Sequence, residues 1–415
     1  MIRLLQCGTW EFETFRDKTL PKYAILSHTW KYNAGIPEDM TYQELKTWMD
    51  QRAVPKRATW QASWEKVEKA RDIAWELGFR YIWIDSCCID KQDSSELTEA
   101  INSMYQWYAQ SGVCIAYLSD LDRTELGPCR WFERGWTLQE LIAPSKVLFY
   151  NKDWKYCGSR NGFRVDNKHK PSEDLSVRIA EISSIDKSLL SRNDSLEITR
   201  SLSSIPACQK MSWASKRDTT KPEDMAYCLI GIFGINHMHH KAGEGRAAFI
   251  RLQEEIIKQS SDPTLFAWLV TEPGKCNPEN LLKPSDIENN NALFKFDEDL
   301  HGIFACHPRE FQSASDVKPT QPLIYNDEIA VTSKGVKFAA VLEGCDPCFP
   351  FKIPLHCYKT EPLEYLGMEL RWVGGDIYAR TNIKKTTLID ISQVLPGQDH
   401  LPMEQQTRAL YDLWN

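Results

Sequence analysis

The sequence predicts an α/β domain over residues 1–155, with a mainly parallel sheet flanked by helices. A helical segment over 156–275 and a β-rich C-terminal module over 276–415 follow it. Three observations carry this. From residue 23 to 151 short apolar runs alternate with stretches of helical period, the pattern of strand–helix–strand units whose crossovers impose a parallel sheet. The run at 81–85, YIWID, is apolar on both faces, as a strand covered on both sides must be. From about residue 290 the period drops to two, as in EIAVTSKGVKFAAVLE, which reads as a hairpin around Lys334-Gly335.

The elements follow in order. YAILSHTW at 23–30 is a strand ending in Ser27, His28, Thr29 and Trp30. SWEKVEKARDIAWELGF then has helical spacing, with Ser63 as the expected N-cap, an apolar stripe of Val67, Ala70, Ile73, Ala74 and Leu77, and Gly78 as its stop. After the strand at 81–85, SSELTEAINSMYQWYAQSG reads as a helix capped by Ser94 or Ser95 and stopped at Gly112. VCIAYLSD is the next strand, RGWTLQELIA the next helix and KVLFYN a fourth strand. Downstream, PEDMAYCLIGIFG has proline at a helix start and glycine at its end. RAAFIRLQEEIIKQS puts Phe249, Leu252, Ile256 and Ile257 on one face. FKIPLHCYK, EYLGMELRWVG, DIYART and TTLIDI complete the β-rich tail.

Composition narrows the function. A hydrophobic content of 42% with 26% charged residues is that of a soluble globular protein. A net charge of −7 argues against general nucleic-acid binding, which needs a basic face. The N-terminus, MIRLLQCGTWEFETF, lacks the apolar core of a signal peptide, and no run approaches the roughly 18 apolar residues of a membrane helix. Thirteen scattered cysteines then fit a reducing, cytoplasmic setting with free thiols and no membrane contact. Fifteen tryptophans supply large apolar area, suited to packing and to stacking on a base or nicotinamide ring.

YAILSHTW, GFRYIWIDSCCIDK with SSELTEAINSMYQWY, and RWFERGWTLQELIAP resemble the three signature blocks of the fungal heterokaryon-incompatibility (HET) domain. MSWASKRDTTKPEDMAYCLIGIFGI, GEGRAAFIRLQEEI and SDPTLFAW are similar to the segment that commonly follows it, although KAGEG at 241–245 lacks the aromatic usual before GEG. The resemblance spans roughly residues 1–270 and implies a fungal cytoplasmic protein that triggers programmed cell death on sensing non-self. Its partners would be a second copy of itself or an upstream NLR-type sensor. Some relatives add a nucleotide-binding NACHT module; no GxxxxGK[ST] loop occurs here, so the expectation is a chain without such an engine of its own.

The element order and the Trp-x-x-x-Glu spacing of Trp136 and Glu140 are similar, more distantly, to Toll/interleukin-1 receptor (TIR) domains. That likeness implies a TIR-like, flavodoxin-like fold with NAD as a substrate rather than a bound cofactor. By position Glu140 matches the glutamate that supports cleavage of the nicotinamide–ribose bond. Such cleavage needs no acid, because nicotinamide leaves neutral; a carboxylate would hold the ribose and stabilise the oxocarbenium-like centre. The plain alternative for Glu140 is a solvated helix position, and for the whole domain a non-enzymatic death adaptor that only self-associates.

The other candidates cluster at strand ends, where open α/β sheets bind ligands. His28 and Trp30 lie where a mononucleotide would approach; Trp30 would stack on a ring and Ser27 contact a phosphate or hydroxyl, against ordinary packing with His28 bonded locally. Asp85 is a ribose binder or a loop cap. Glu96 caps its helix, and Arg134 pairs with a phosphate or with Glu96. The enzyme reading requires Glu140 to face a cleft near Trp30 and Asp85; the adaptor reading does not. A Cys87–His28 hydrolase lacks an identifiable orienting group. Cys345 and Cys348 have zinc-like spacing without a second pair, so no metal is expected.

Overall fold

The computed structural model describes residues 1–16, 19–30, 32–33, 36–52, 59–162, 173–270, 302–320, 330–332, 335–341, 351–374, 377–381, 387–388 and 408–413. They gather into two compact units. One holds residues 1–204, 217–220 and 227–241; the other holds 205–216, 221–226 and 242–415.

The first unit contains strands β1 (Ile2–Gln6), β2 (Phe12–Phe15), β3 (Ala24–His28), β4 (Tyr32–Asn33), β5 (Ile36–Pro37), β6 (Tyr81–Trp83), β7 (Val113–Tyr117), β8 (Val147–Tyr150) and β9 (Tyr156–Ser159). β4 and β5 pair with each other, and the remaining seven form one sheet in the order β2-β1-β6-β3-β7-β8-β9. β3 runs parallel to both β6 and β7, and β7 parallel to β8. The three strands at 24–28, 81–83 and 113–117 are therefore neighbours, and all five positions of β3 and of β7 are buried, as double-sided cover requires.

The sheet is parallel through its centre, as expected, and mixed at its two edges. β1 pairs antiparallel with β2 and β6, and β9 antiparallel with β8. For β1–β2 and β8–β9 the cause is local: the turns at 7–11 and 151–155 are short, and a short connection joins only antiparallel neighbours. Helix-length crossovers exist only between the central strands.

The helices of this unit that bear on the site are α1 (Tyr42–Gln51), α2 (Trp60–Glu76), α3 (Asp85–Cys88), α4 (Ser94–Gln110), α5 (Arg130–Glu133) and α6 (Thr137–Ile142). Several starts differ from expectation. α2 begins at Trp60, and Ser63 sits inside its first turn, donating to Trp60 O at 2.9 Å. α4 is capped by Asp93, whose carboxylate accepts from the backbone N–H of Ser95 and Glu96 at 2.9 and 3.1 Å; a charged acceptor there also complements the helix dipole. β6 stops at Trp83 because Cys87 and Cys88 bond back to Ile84 O at 3.2 and 2.8 Å, so Asp85 opens α3 instead of ending a strand. The helix expected from Pro222 to Gly234 runs only over Asp224–Tyr227. Beyond it the chain turns past α4 so closely that a Cβ on Gly231 would lie 2.2 Å from Tyr105 Cβ.

In the second unit the helix Ala247–Gln259 buries Phe249, Leu252, Ile256 and Ile257, the face its periodicity predicts. Among the described residues an eight-stranded sheet accompanies it. Ala330–Thr332 and Gly335–Val341 pair antiparallel as the hairpin expectation requires. Phe351–Thr360 pairs antiparallel with Leu363–Gly374, and Ile377–Thr381 runs parallel to Arg408–Leu413.

Candidate functional site

The parallel strands lie in the spatial order second, first, third, fourth, so the order reverses at β3. In such sheets the crevice outside the carboxyl ends at the reversal is the usual ligand position. β3 ends there in Ser27 and His28, whose side chains leave opposite faces of the strand. Each organises its own group of residues.

Ser27 meets α5 and α6. Its hydroxyl donates to Glu140 Oε2, and its oxygen accepts the Trp131 indole N–H at 2.8 Å. Glu140 is only 7% exposed. Burial pushes its carboxyl up to about 8; Asp85 adds to the rise, while the hydrogen bond from Ser27, the neighbouring Tyr108 hydroxyl and the charge of Arg134 oppose it. Tyr108, on α4, gives its one hydroxyl proton to Leu26 O at 3.1 Å. The arrangement delivers a buried carboxyl ringed by hydroxyls at the end of the sheet.

α6 is a short helix, and its position is set from outside it. Gly135 lies against residues 218–219, where a Cβ would stand 2.6 Å from Thr219 Cγ2, and its N–H donates to Asp218 O at 2.9 Å. The buried guanidinium of Arg217 donates to Arg134 O at 2.9 Å and to Thr137 Oγ1 at 3.1 Å. At the other end buried Arg160 donates to the carbonyls of Leu141 at 2.7 Å, Ile142 at 3.1 Å and Pro144, a charged cap on the negative end of the helix dipole.

His28 organises the second group. Its Nε2 lies 3.6 Å from Asp39 Oδ1 and 3.8 Å from Asp85 Oδ1, yet neither ring nitrogen has a hydrogen-bond partner. Burial, with the nearby Lys66 ammonium, pulls the imidazole down to about 4 despite the two carboxylates. Lys66 pairs with Asp39. Asp85 Oδ2 accepts the Trp30 indole N–H at 2.7 Å and stands 3.7 Å from Lys91 Nζ. That ammonium in turn lies 3.2 Å from the centre of the Trp30 ring.

Of the residues singled out from sequence, Ser27 meets Glu140, and His28, Trp30 and Asp85 come together. Arg134 donates to Thr220 Oγ1 at 2.8 Å, and Glu96 takes Arg3 instead, in a two-pronged pair at 2.7 and 2.8 Å. Trp136 is half-buried one turn before Glu140. Cys87 is a free, buried thiol, and a hydrogen bond with the Cys88 thiol together with burial raises it well above its usual range, the reverse of what a nucleophile needs. Cys345 and Cys348 lie outside the described residues. Among those residues no helix is long and apolar enough to cross a membrane.

Several residues of the site carry no assignment from the sequence alone. Trp131 carried a signal, standing in the block RWFERGW. Tyr108, inside SSELTEAINSMYQWYAQSG, has no pattern that marks it for a site. Asp39, Lys66 and Arg217 arrive from distant segments with no local pattern to mark them.

A family model for the Heterokaryon incompatibility protein (HET) matches residues 23–129, which include Ser27, His28, Trp30 and Asp85 but end before Trp131 and Glu140. A model for a domain of unknown function (DUF8212) matches residues 247–332. Vegetative incompatibility protein HET-E-1 of Podospora anserina is 37% identical over 267 residues. That match takes in 61% of this chain but only 17% of the Podospora protein's length. No solved structure matches the chain.

Proposed function

This chain carries a heterokaryon-incompatibility (HET) domain, and from that premise we propose that it is an effector of vegetative incompatibility that kills by hydrolysing NAD at the nicotinamide–ribose bond. Glu140 is the catalytic carboxylate in this reading, in a TIR-like site that assembly with further copies or an NLR-type sensor switches on. The observation that carries it is the buried Glu140 carboxyl, raised to about 8 and held by Ser27 at the carboxyl end of the parallel strands. A strongly perturbed buried acid at that position is what catalytic sites provide.

The chemistry follows from charge. Burial by itself favours the neutral acid. A cationic nicotinamide ring beside it favours the carboxylate instead, so substrate itself would create the charge. As the glycosidic bond breaks, nicotinamide departs with the bonding pair and becomes neutral, and positive charge moves to the ribose. A carboxylate fixed there stabilises that centre more than the ground state. Ser27 orients the carboxyl, and Trp131 orients Ser27.

The same burial supports the rival reading of a structural, neutral Glu140 in a self-associating adaptor. Purified protein incubated with NAD at low and high concentration, with nicotinamide release as the readout, separates the two. The hydrolase reading expects turnover that rises with assembly and falls about 10²–10³-fold in Glu140→Gln. A folded Glu140→Gln protein that still cleaves NAD removes Glu140 from the mechanism.

A further inference from the structure

The Trp30 indole presents a face, and Asp85 holds its N–H side at 2.7 Å. An aromatic face beside a carboxylate is a cation-recognising arrangement: the ring quadrupole and the negative charge attract the same ligand. That arrangement is already filled from within. Lys91 Nζ lies 3.2 Å from the ring centre and 3.7 Å from Asp85 Oδ2.

Lys91 sits on the tight turn between α3 and α4, which is fixed on both sides. Asp90 N–H donates to Glu96 Oε1 at 2.8 Å, Asp93 N–H to Asp90 O at 3.2 Å, and the Asp90 carboxylate accepts from Gln43. The backbone is therefore held while the lysine side chain, 33% exposed, has a path into solvent. Next to this group His28 keeps two buried ring nitrogens without hydrogen-bond partners, and Nε2 faces the other oxygen of Asp85 at 3.8 Å.

We propose that Trp30 and Asp85 form a subsite for a cationic aromatic ring, a pyridinium, and that Lys91 is its built-in competitor. The ring stacks on Trp30 in place of the ammonium, its charge is balanced by Asp85, and Lys91 swings out to water. The subsite deepens the NAD reading by placing the nicotinamide end, and it rests on that reading only for the identity of the molecule that carries the ring. Lys91 then sets a threshold: a neutral ring gains little from Asp85 and does not displace the ammonium.

The test is binding of 1-methylnicotinamide, a permanent cation with no glycosidic bond, to the full chain, followed by tryptophan fluorescence and by calorimetry. Neutral nicotinamide is the control. Lys91→Ala is expected to bind the cation about 2- to 30-fold more tightly than wild type, the range of one cation–π contact, with a smaller change for the neutral ring. Lys91→Gln, which keeps length and polarity, should behave as Lys91→Ala does, and Asp85→Asn should lose the preference for the cation. Equal or weaker cation binding in both folded Lys91 variants overturns the proposal, as does an equal gain for both rings. A chain that binds the pyridinium yet leaves NAD intact keeps the subsite and discards the hydrolase reading. A chain that cleaves NAD while the Lys91 variants bind no more tightly does the reverse.

Discussion

The Ser27 hydroxyl donates to the Glu140 carboxylate across 113 positions of chain. Because the same oxygen accepts the Trp131 N–H, one hydroxyl ties β3 to both α5 and α6. The polar side chains beside Glu140, Ser27 and Tyr108, are hydroxyls rather than cations, so burial dominates and pushes the carboxyl up to about 8.

Ser27→Ala removes an acceptor from a buried indole and a donor from a buried carboxyl. Leaving such groups short of partners costs about 1–3 kcal/mol, which urea unfolding will read as a lower midpoint with an unchanged slope. The Ser27 bond is also what lowers the Glu140 pKa, so the pH profile of nicotinamide release should move to higher pH in the mutant. A profile that stays in place, in a protein that does cleave NAD, would mean that another group sets it.

Glu140 should leave a signature in stability that needs no substrate. Its folded pKa of about 8 lies above the ordinary carboxylate value of 4.5, so between those limits the folded chain binds the extra proton. Stability from this group is complete below about 4.5 and is lost as pH rises through 8, with a slope of at most about 1.4 kcal/mol per pH unit. Glu140→Gln cannot titrate. It should match wild type near pH 5 and exceed it at pH 8 in unfolding free energy. A difference between the two proteins that is constant with pH would show that the carboxyl does not titrate in this window.

How much of this was legible in the sequence depended on distance along the chain. The central strands at 24–28, 81–83 and 113–117 announced themselves because burial on both faces leaves an apolar run with nothing to confuse it. The β1–β2 hairpin did not, since IRLLQ and FETF lack a tight-turn signature between them. Ser27 and Glu140 stood out singly, by position at a strand end and by resemblance. Their partnership could not be read, because a hydrogen bond across 113 positions leaves no period or spacing. Asp39 and Lys66 were silent for the same reason. Asp93 was passed over as a cap in favour of Ser94 and Ser95, although a carboxylate one place earlier reaches the same two N–H groups.

His28 gives the opposite pH sign from Glu140. Its folded pKa of about 4 lies below the ordinary 6.5, so the unfolded chain takes the proton first. The stability tied to a neutral His28 is present above about 6.5 and is lost as pH falls through 4. His28→Gln should therefore flatten the acid limb of the stability curve between those values while leaving the alkaline limb, set by Glu140, unchanged. Two-dimensional NMR of the imidazole provides a direct check; a ring that titrates near 6.5 contradicts the burial argument.

The last prediction concerns the outside support of α6. Arg217 reaches Arg134 O and Thr137 Oγ1 with one nitrogen, and the backbone of Asp218 exchanges bonds with Gly135 N–H at 2.9 Å and Glu133 O at 2.7 Å. A six-residue helix has too few internal hydrogen bonds to hold itself, so this segment, 77 positions beyond Glu140 by number, should decide whether the carboxyl stays in place. Arg217→Met keeps the apolar stem and removes bonds of the charged kind, worth about 1.5–3 kcal/mol. Amide hydrogen exchange at residues 135–142 should accelerate in the mutant while exchange in β7 stays slow. Arg217→Lys should recover only part of the protection, because an ammonium lacks the planar fork that a guanidinium offers to fixed acceptors. If exchange over 135–142 is as slow in Arg217→Met as in wild type, α6 is held by its own packing against β3 and α4, and the downstream segment merely covers it.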